Sequence, residues 1–261
     1  MALAETTQHT PLAVVTGSTT GIGLAIARQL ASGGYRVVVH GGHSQQRVDA
    51  AVSTVGHGAV GVCADISNEL GRQQLCEQVE TLGPVDLWVN NAGTDVLTGE
   101  AVVWSFEQKL AALWHVDVLG TMVLSRHIGA AMCRQGRGAI INIGWDQAEV
   151  GMAGDSGEMF AATKGAIMAF TKSLAKSLAP AVRVNCIAPG WIRTKWGDSA
   201  NDYWNERAKS ESLARRWGTP EDVAALVLFL ASPQSAFING QVIALNGGFA
   251  ASADRGRQQT P

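Results

Sequence analysis

Apolar runs and amphipathic stretches alternate along almost the whole chain. Residues 12–16, 35–40, 59–65, 85–90, 139–143, 182–187 and 241–245 are short and nearly continuously apolar, which predicts strands buried on both faces. Between them, 22–30, 44–52, 67–82, 106–132 and 159–178 carry apolar residues at helical spacing, and Gly33-Gly34 stops the first of these. Ser67 is the expected cap of the third helix. Thr219-Pro220 opens a last helix, with threonine as N-cap and proline in the first turn. Residues 191–217 show no clear period. Strands alternating with helices predict an α/β fold, a single-domain doubly wound parallel sheet (Rossmann-like) with helices on both faces. The predicted domain runs from 11 to 249, between a polar, flexible start at 1–10 and a polar tail at 250–261.

The composition excludes several classes of partner. With 261 residues and 46% hydrophobic content, one sizeable domain is expected. A net charge of −2 gives no basic bias for nucleic acid or an anionic membrane. No signal segment is seen, and no apolar run approaches the ~18 residues of a membrane span. Cys63, Cys76, Cys133 and Cys186 are scattered without a paired motif. They read as buried thiols of a reducing, cytoplasmic setting, and no metal cluster is expected.

The chemistry concentrates in turns after strands. Glycines at 17, 21 and 23 follow the first strand and open a helix, a turn that lets backbone approach a pyrophosphate. Thr16-Gly17-x-x-x-Gly21-x-Gly23, Asn90-Asn91-Ala92-Gly93 and Pro189-Gly190-x-x-x-Thr194 occur in that order, with Asp65 after the third strand and Asn246-Gly247-Gly248 near the end. Together they resemble the short-chain dehydrogenase/reductase family over about residues 11–249.

That resemblance implies a nicotinamide cofactor. Gly17, Ser18, Gly21, Ile22 and Gly23 would cradle the diphosphate, with Thr20 in the same turn. Asp65 would meet the adenine, and Asn91, Ala92 and Gly93 the adenosine ribose side. Lys164 would hold the nicotinamide ribose; Pro189, Gly190, Ile192 and Thr194 would contact the nicotinamide end. After the second strand, His40-Gly41-Gly42-His43-Ser44-Gln45-Gln46-Arg47 lacks the carboxylate that accepts from an adenosine 2′-hydroxyl. His43, Ser44 and Arg47 suit a phosphate there, so NADP is expected ahead of NAD; the competing reading makes His40 and His43 plain loop residues. The family also implies a homodimer or homotetramer through the long helices, and a small-molecule substrate.

The resemblance breaks at the proton chemistry. The family pattern places a tyrosine four residues before the lysine, a serine after the fifth strand and an asparagine in an earlier helix. Here those places hold Phe160, Trp145 and Asp117. A phenyl ring has no ionisable proton and an indole N–H is no acid near neutral pH. Losing a positioned acid typically costs on the order of 10²–10⁴ in rate. Asp146 is the first candidate for a substituted acid or base, with Tyr203 in the mobile segment as another; Tyr35 falls at the wrong end of the sheet. Asp155, Ser156 and Glu158 are expected in the loop before the lysine helix, with Glu158 near its N-terminus. Asp117 is expected to approach Lys164. Trp191, Trp196, Trp204 and Trp217 either wall a ligand site or pack on the body of the fold. Three functions follow: an oxidoreductase acting on a carbonyl or alcohol with rearranged proton handling, a silent NAD(P)- or ligand-binding sensor or partner subunit, and a non-redox enzyme using Asp146 or Asp155.

Overall fold

The structure is a computed structural model that describes residues 10–249, apart from Ser199 and the side chain of Trp196. The expected flexible start and polar tail, save Thr10, lie outside the described residues, as does the part played by the Trp196 ring.

Seven parallel strands form one sheet in the order β3-β2-β1-β4-β5-β6-β7. They are β1 (Leu12–Val15), β2 (Arg36–Gly41), β3 (Val60–Cys63), β4 (Val85–Asn90), β5 (Gly138–Ile143), β6 (Val182–Pro189) and β7 (Val242–Leu245). The strands are apolar on both faces, so the sheet has two cores. Ala13, Val15, Val37, Val39, Ile141 and Ile143 pack on one side with α1 (Gly21–Ser32), α2 (Gln45–Val55) and α10 (Pro220–Ala231). Leu12, Val14, Val38, Trp88 and Ile140 face α3 (Glu69–Glu80), α5 (Thr121–Gln135) and α7 (Asp155–Leu178) on the other. The strand order reverses between β1 and β4, which opens a crevice above their carboxyl ends.

Four expectations are corrected. Helix α3 is capped by Asn68, whose side chain accepts from Gly71 N, because Ser67 is held in a turn by Asp65. The expected helix over 106–132 is three pieces: α4 (Phe106–Leu113), a wide π-type segment (Trp114–Gly120) and α5. Helix α7 begins at Asp155, not near 159, so Asp155, Ser156 and Glu158 are helical; Gly154, at φ +95°, supplies the turn into it. Two acids in its first turn suit the helix dipole. The segment expected to be irregular contains α8 (Lys195–Asp198) and α9 (Asp202–Glu211), following the short α6 (Gln147–Val150) before α7.

A buried polar chain ties the two central strands to their helices. Trp88 Nε1 donates to Asn90 Oδ1 (2.8 Å), and Asn90 Nδ2 donates to Ser125 Oγ and Asn142 Oδ1 (both 2.7 Å). Asn142 Nδ2 then reaches Thr171 Oγ1 on α7 at 2.8 Å. In a low-dielectric core such satisfied groups fix one arrangement. They pin α5 and α7 against β4 and β5, the strands that deliver Gly93 and Trp145.

Candidate active site

The glycine turn lies over the crevice and is braced from both sides. Gly17 has φ +62°, and an added Cβ would sit 2.6 Å from Ala92 Cα. At Gly23 a Cβ would collide with the Gly17 carbonyl oxygen. Asn91 Nδ2 donates to the carbonyls of Thr16 (3.0 Å) and Gly17 (2.9 Å). Thr16 Oγ1 accepts from the N–H groups of Asn91 and Ala92, both at 3.0 Å. Gly21, also left-handed at φ +56°, has only the Thr194 methyl at 3.8 Å beside its missing Cβ. The turn after β1 and the segment after β6 therefore stand close together. Ile22 is half-buried against the core beneath. Thr20 is exposed and makes no side-chain cap, while Ser18 is turned inward: its hydroxyl donates to Val15 O at 2.7 Å. Its backbone N–H also donates to His40 O at 2.9 Å, so Ser18 ties the turn to β2.

His40 is a site residue that sequence reasoning left open. It belongs to β2, not to a loop, and is 1% exposed. Its Nδ1 accepts from Gly17 N at 3.1 Å and its Nε2 lies 2.8 Å from the Ala64 carbonyl, which fixes the donor on Nε2. Burial lowers its pKa to about 4, against opposing contributions from the Ala64 bond and Asp65. The imidazole is thus a neutral bridge that holds the glycine turn to β2 and the end of β3. The signal available in the sequence was a histidine closing an apolar strand beside a glycine turn.

Asp65 accepts from Ser67 N (3.0 Å) and Asn68 Nδ2 (3.2 Å), a turn-capping role. Burial opposes its ionisation, but the bonds from Ser67 and Asn68 and the nearby His43 prevail and lower its pKa. His43 is exposed, and Ser44 caps α2 by accepting from Arg47 N at 3.3 Å. Among the described residues, no carboxylate stands at the His43–Ser44 turn itself.

At the other end of the crevice, Lys164 on α7 points at Asp117. Their Nζ and Oδ2 are 2.9 Å apart, with side chains 13% and 2% exposed. Nζ also lies 3.4 Å from the Ile143 carbonyl. Asp117 Oδ1 accepts from Thr94 N at 3.0 Å, and Gly93 leaves room for the carboxylate. The wide π-type turn carries Asp117 inward at this point; such turns often occur at functional sites. The ion pair expected from the sequence is present, and both carboxylate oxygens are engaged.

Phe160 stands one helical turn before Lys164, and Trp145 follows Gly144 after β5. Their rings meet edge to face, with centroids 6.2 Å apart at 70°. Phe160 also packs on a small apolar cluster of Val96, Ala101, Leu113 and Met159. Both aromatic surfaces are half-buried.

Asp146 is adjacent but faces elsewhere. Its Oδ2 accepts from Asn246 Nδ2 at 3.0 Å and crowds Gly190, while Oδ1 is buried without a hydrogen-bond partner. Burial raises its pKa, helped by the nearby Glu211 and opposed by the Asn246 bond. Gly190 N in turn bonds Leu245 O at 3.0 Å, and Ile192 pairs with Gly218. Asp146 thus joins the ends of β5, β6 and β7. Tyr203 is 63% exposed and lies edge-on to Trp204, and Tyr35 sits at the amino end of the sheet bonded to Ala231 O. Trp191, Trp204 and Trp217 pack on one another, with Arg207 over the first two and Glu211 accepting from Trp191 Nε1 at 2.8 Å. Trp217 is buried. No group of three or more metal-ligating side chains occurs among the described residues.

A family model described as enoyl-(acyl carrier protein) reductase matches residues 17–250. The chain is 36% identical to a 3-oxoacyl-[acyl-carrier-protein] reductase of Aquifex aeolicus, over 91% of this chain and 96% of that protein. It is 35% identical to the short-chain reductase protein NovJ of Streptomyces niveus, over 91% and 93% respectively. Among solved structures, a 3-oxoacyl (acyl-carrier-protein) reductase from Agrobacterium tumefaciens C58 with NADP bound superposes with a TM-score of 0.82. It shares 27% identity, with 94% of this chain and all (100%) of that one covered.

Proposed function

The chain belongs to the short-chain dehydrogenase/reductase family and is an oxidoreductase of that type, and from this we propose that it exchanges hydride between a nicotinamide dinucleotide and a small-molecule carbonyl or alcohol, without the tyrosine and serine of the family pattern. The observation that carries this reading is an intact, braced cofactor crevice ending at a Lys164 locked to Asp117. A bound nicotinamide supplies or takes the hydride. The backbone of the Gly17–Gly23 turn binds the diphosphate, helped by the start of α1. Asp65 and Asn91 to Gly93 border the adenosine, and Lys164 holds the nicotinamide ribose. Pro189, Gly190, Ile192 and Thr194 border the nicotinamide.

NADP is the preferred form. The His43–Ser44 turn offers no carboxylate to repel a 2′-phosphate, and Arg47 is close by in sequence. The relative of known structure named above holds NADP.

Lys164 serves as an anchor. Its ion pair with the buried Asp117 carboxylate holds it in place. Phe160 offers it no phenol to acidify. Asp146 is a positioning group for the Pro189–Gly190 turn, since its bonded oxygen faces Asn246.

A second reading is a silent, cofactor-binding member that acts as a sensor or partner subunit. It is favoured by the Trp145–Phe160 contact, which puts two apolar rings against each other at the places of the family's serine and tyrosine. Self-association into a homodimer or homotetramer belongs to either reading and suits the exposed Trp104, Phe106 and Trp114. Four free cysteines suit a reducing, cytoplasmic compartment, and no helix among the described residues is long and apolar enough to cross a membrane.

Titration with NADPH and NADH, followed by nicotinamide fluorescence, tests the core of the proposal, with NADPH expected to bind more tightly. Absence of binding by both would overturn it. Binding with no turnover across a broad substrate panel would select the silent reading.

A further inference from the structure

We infer that the substrate best matched to this site is a cationic C=N compound, an iminium ion, in place of a neutral ketone. The inference rests on the cofactor reading above and names the substrate class of that same site.

The argument starts from charge. Hydride addition to a ketone creates an alkoxide, which needs an acid and hydrogen-bond donors at the oxygen. Here the two side chains at those places are Trp145 and Phe160, in mutual contact at 6.2 Å. The remaining cation, Lys164, is matched by Asp117 at 2.9 Å, so its positive charge is largely neutralised before a substrate arrives. Asp117 cannot readily turn away, because its other oxygen accepts from Thr94 N. Neither Trp145 nor Phe160 can give a proton to a developing anion. The Trp145 indole N–H can donate a hydrogen bond to a carbonyl oxygen, but it does not transfer its proton.

The same surroundings suit a cation. Aromatic faces carry negative electrostatic potential and attract a positive charge placed within about 6 Å, indole most strongly. Reducing an iminium also removes the need for an acid. The iminium carbon accepts a hydride from the reduced nicotinamide dinucleotide, a C–H bond forms, and the C=N π pair returns to nitrogen as a lone pair. The products are a neutral amine and the oxidised dinucleotide, with no proton moved. The replaced acids and the paired lysine then become parts of one consistent site.

The test compares an N-methyl dihydroisoquinolinium salt with α-tetralone, a neutral ketone of similar bicyclic shape. Binding of each to protein saturated with 1,4,5,6-tetrahydro-NADP, whose nicotinamide ring is neutral and cannot give hydride, is measured by calorimetry, so that hydride transfer plays no part. Consumption of NADPH with each is measured separately against an enzyme-free control. The cation should bind roughly ten-fold more tightly, the size of a partly desolvated cation–π contact. Trp145→Leu should abolish that preference and Trp145→Phe should retain part of it. NADPH should be consumed with the cation at a rate well above the control, and not with the ketone. Equal or tighter binding of the ketone, a preference that survives Trp145→Leu, or turnover of the ketone alone would overturn the inference. Cofactor titration separates the two failures. If NADP⁺ and NADPH do not bind, the cofactor reading falls and takes this inference with it. If they bind and the cation is neither preferred nor reduced, this inference alone falls.

Discussion

Titrating His40 is expected to destabilise the protein in mild acid, by an amount the structure defines. The imidazole is buried, with Nδ1 committed to Gly17 N and Nε2 to Ala64 O. A proton added at Nδ1 would remove the acceptor and place a donor against the Gly17 N–H. In the unfolded chain the ring titrates near 6.5, while burial holds the folded value at about 4. Because the folded pKa is the lower one, the unfolded state gains its proton first as pH falls. Stability is therefore undiminished by this group above about 6.5, declines between 6.5 and 4, and levels off below. At ~1.36 kcal/mol for each pKa unit, the interval between 6.5 and about 4 amounts to about 3 kcal/mol. Urea unfolding of the parent and His40→Gln across this range isolates the effect, since both contain every other titrating group. The parent's stability relative to His40→Gln should shrink by about 3 kcal/mol from neutral pH to pH near 4. A difference that stays flat would refute the buried neutral bridge, as would an imidazole NMR titration with an ordinary midpoint near 6.5.

Other consequences are equally open to measurement. Lys164→Met should cost about 3 kcal/mol in urea unfolding, because it strands the buried Asp117 carboxylate. Asp117→Asn should cost less, since Lys164 keeps some contact with water. Gly17→Ala should lose cofactor binding and lower the melting temperature, because the new methyl would meet Ala92 at 2.6 Å in a left-handed backbone. At neutral pH Asp146→Asn should be neutral or stabilising, as burial already disfavours the carboxylate and an amide oxygen can still accept from Asn246. Loss of activity in that variant with cofactor affinity unchanged would instead make Asp146 the substituted acid.

Much of this fold was legible because its strands are apolar runs bounded by glycine turns, a pattern that survives without tertiary information. The glycine turn was legible for a related reason: Gly17, Gly21 and Gly23 lie within seven residues and serve one local shape. Features formed by distant residues were not. His40 gains its role from Gly17 and Ala64, each more than twenty positions away. The polar chain from Trp88 to Thr171 draws on four elements and has no sequence period. The π-type segment at Trp114–Gly120 was hidden because helices on both sides preserve the apolar spacing, although it decides where Asp117 points. The start of α7 was misplaced because Gly151 and Gly154 break the pattern just before it. The tryptophans after β6 could be counted but not oriented; their packing on Arg207 and Glu211 depends on α9, which is strongly polar in sequence.

The central claim is that this chain has the cofactor half of the family site and lacks its oxygen acids. The most direct measurement restores them. The double variant Trp145→Ser, Phe160→Tyr should bind NADPH as the parent does and reduce simple ketones at a rate higher by on the order of 10²-fold or more. A double variant that folds and binds NADPH yet stays as inert as the parent, or a parent that already reduces ketones equally well, would contradict the account.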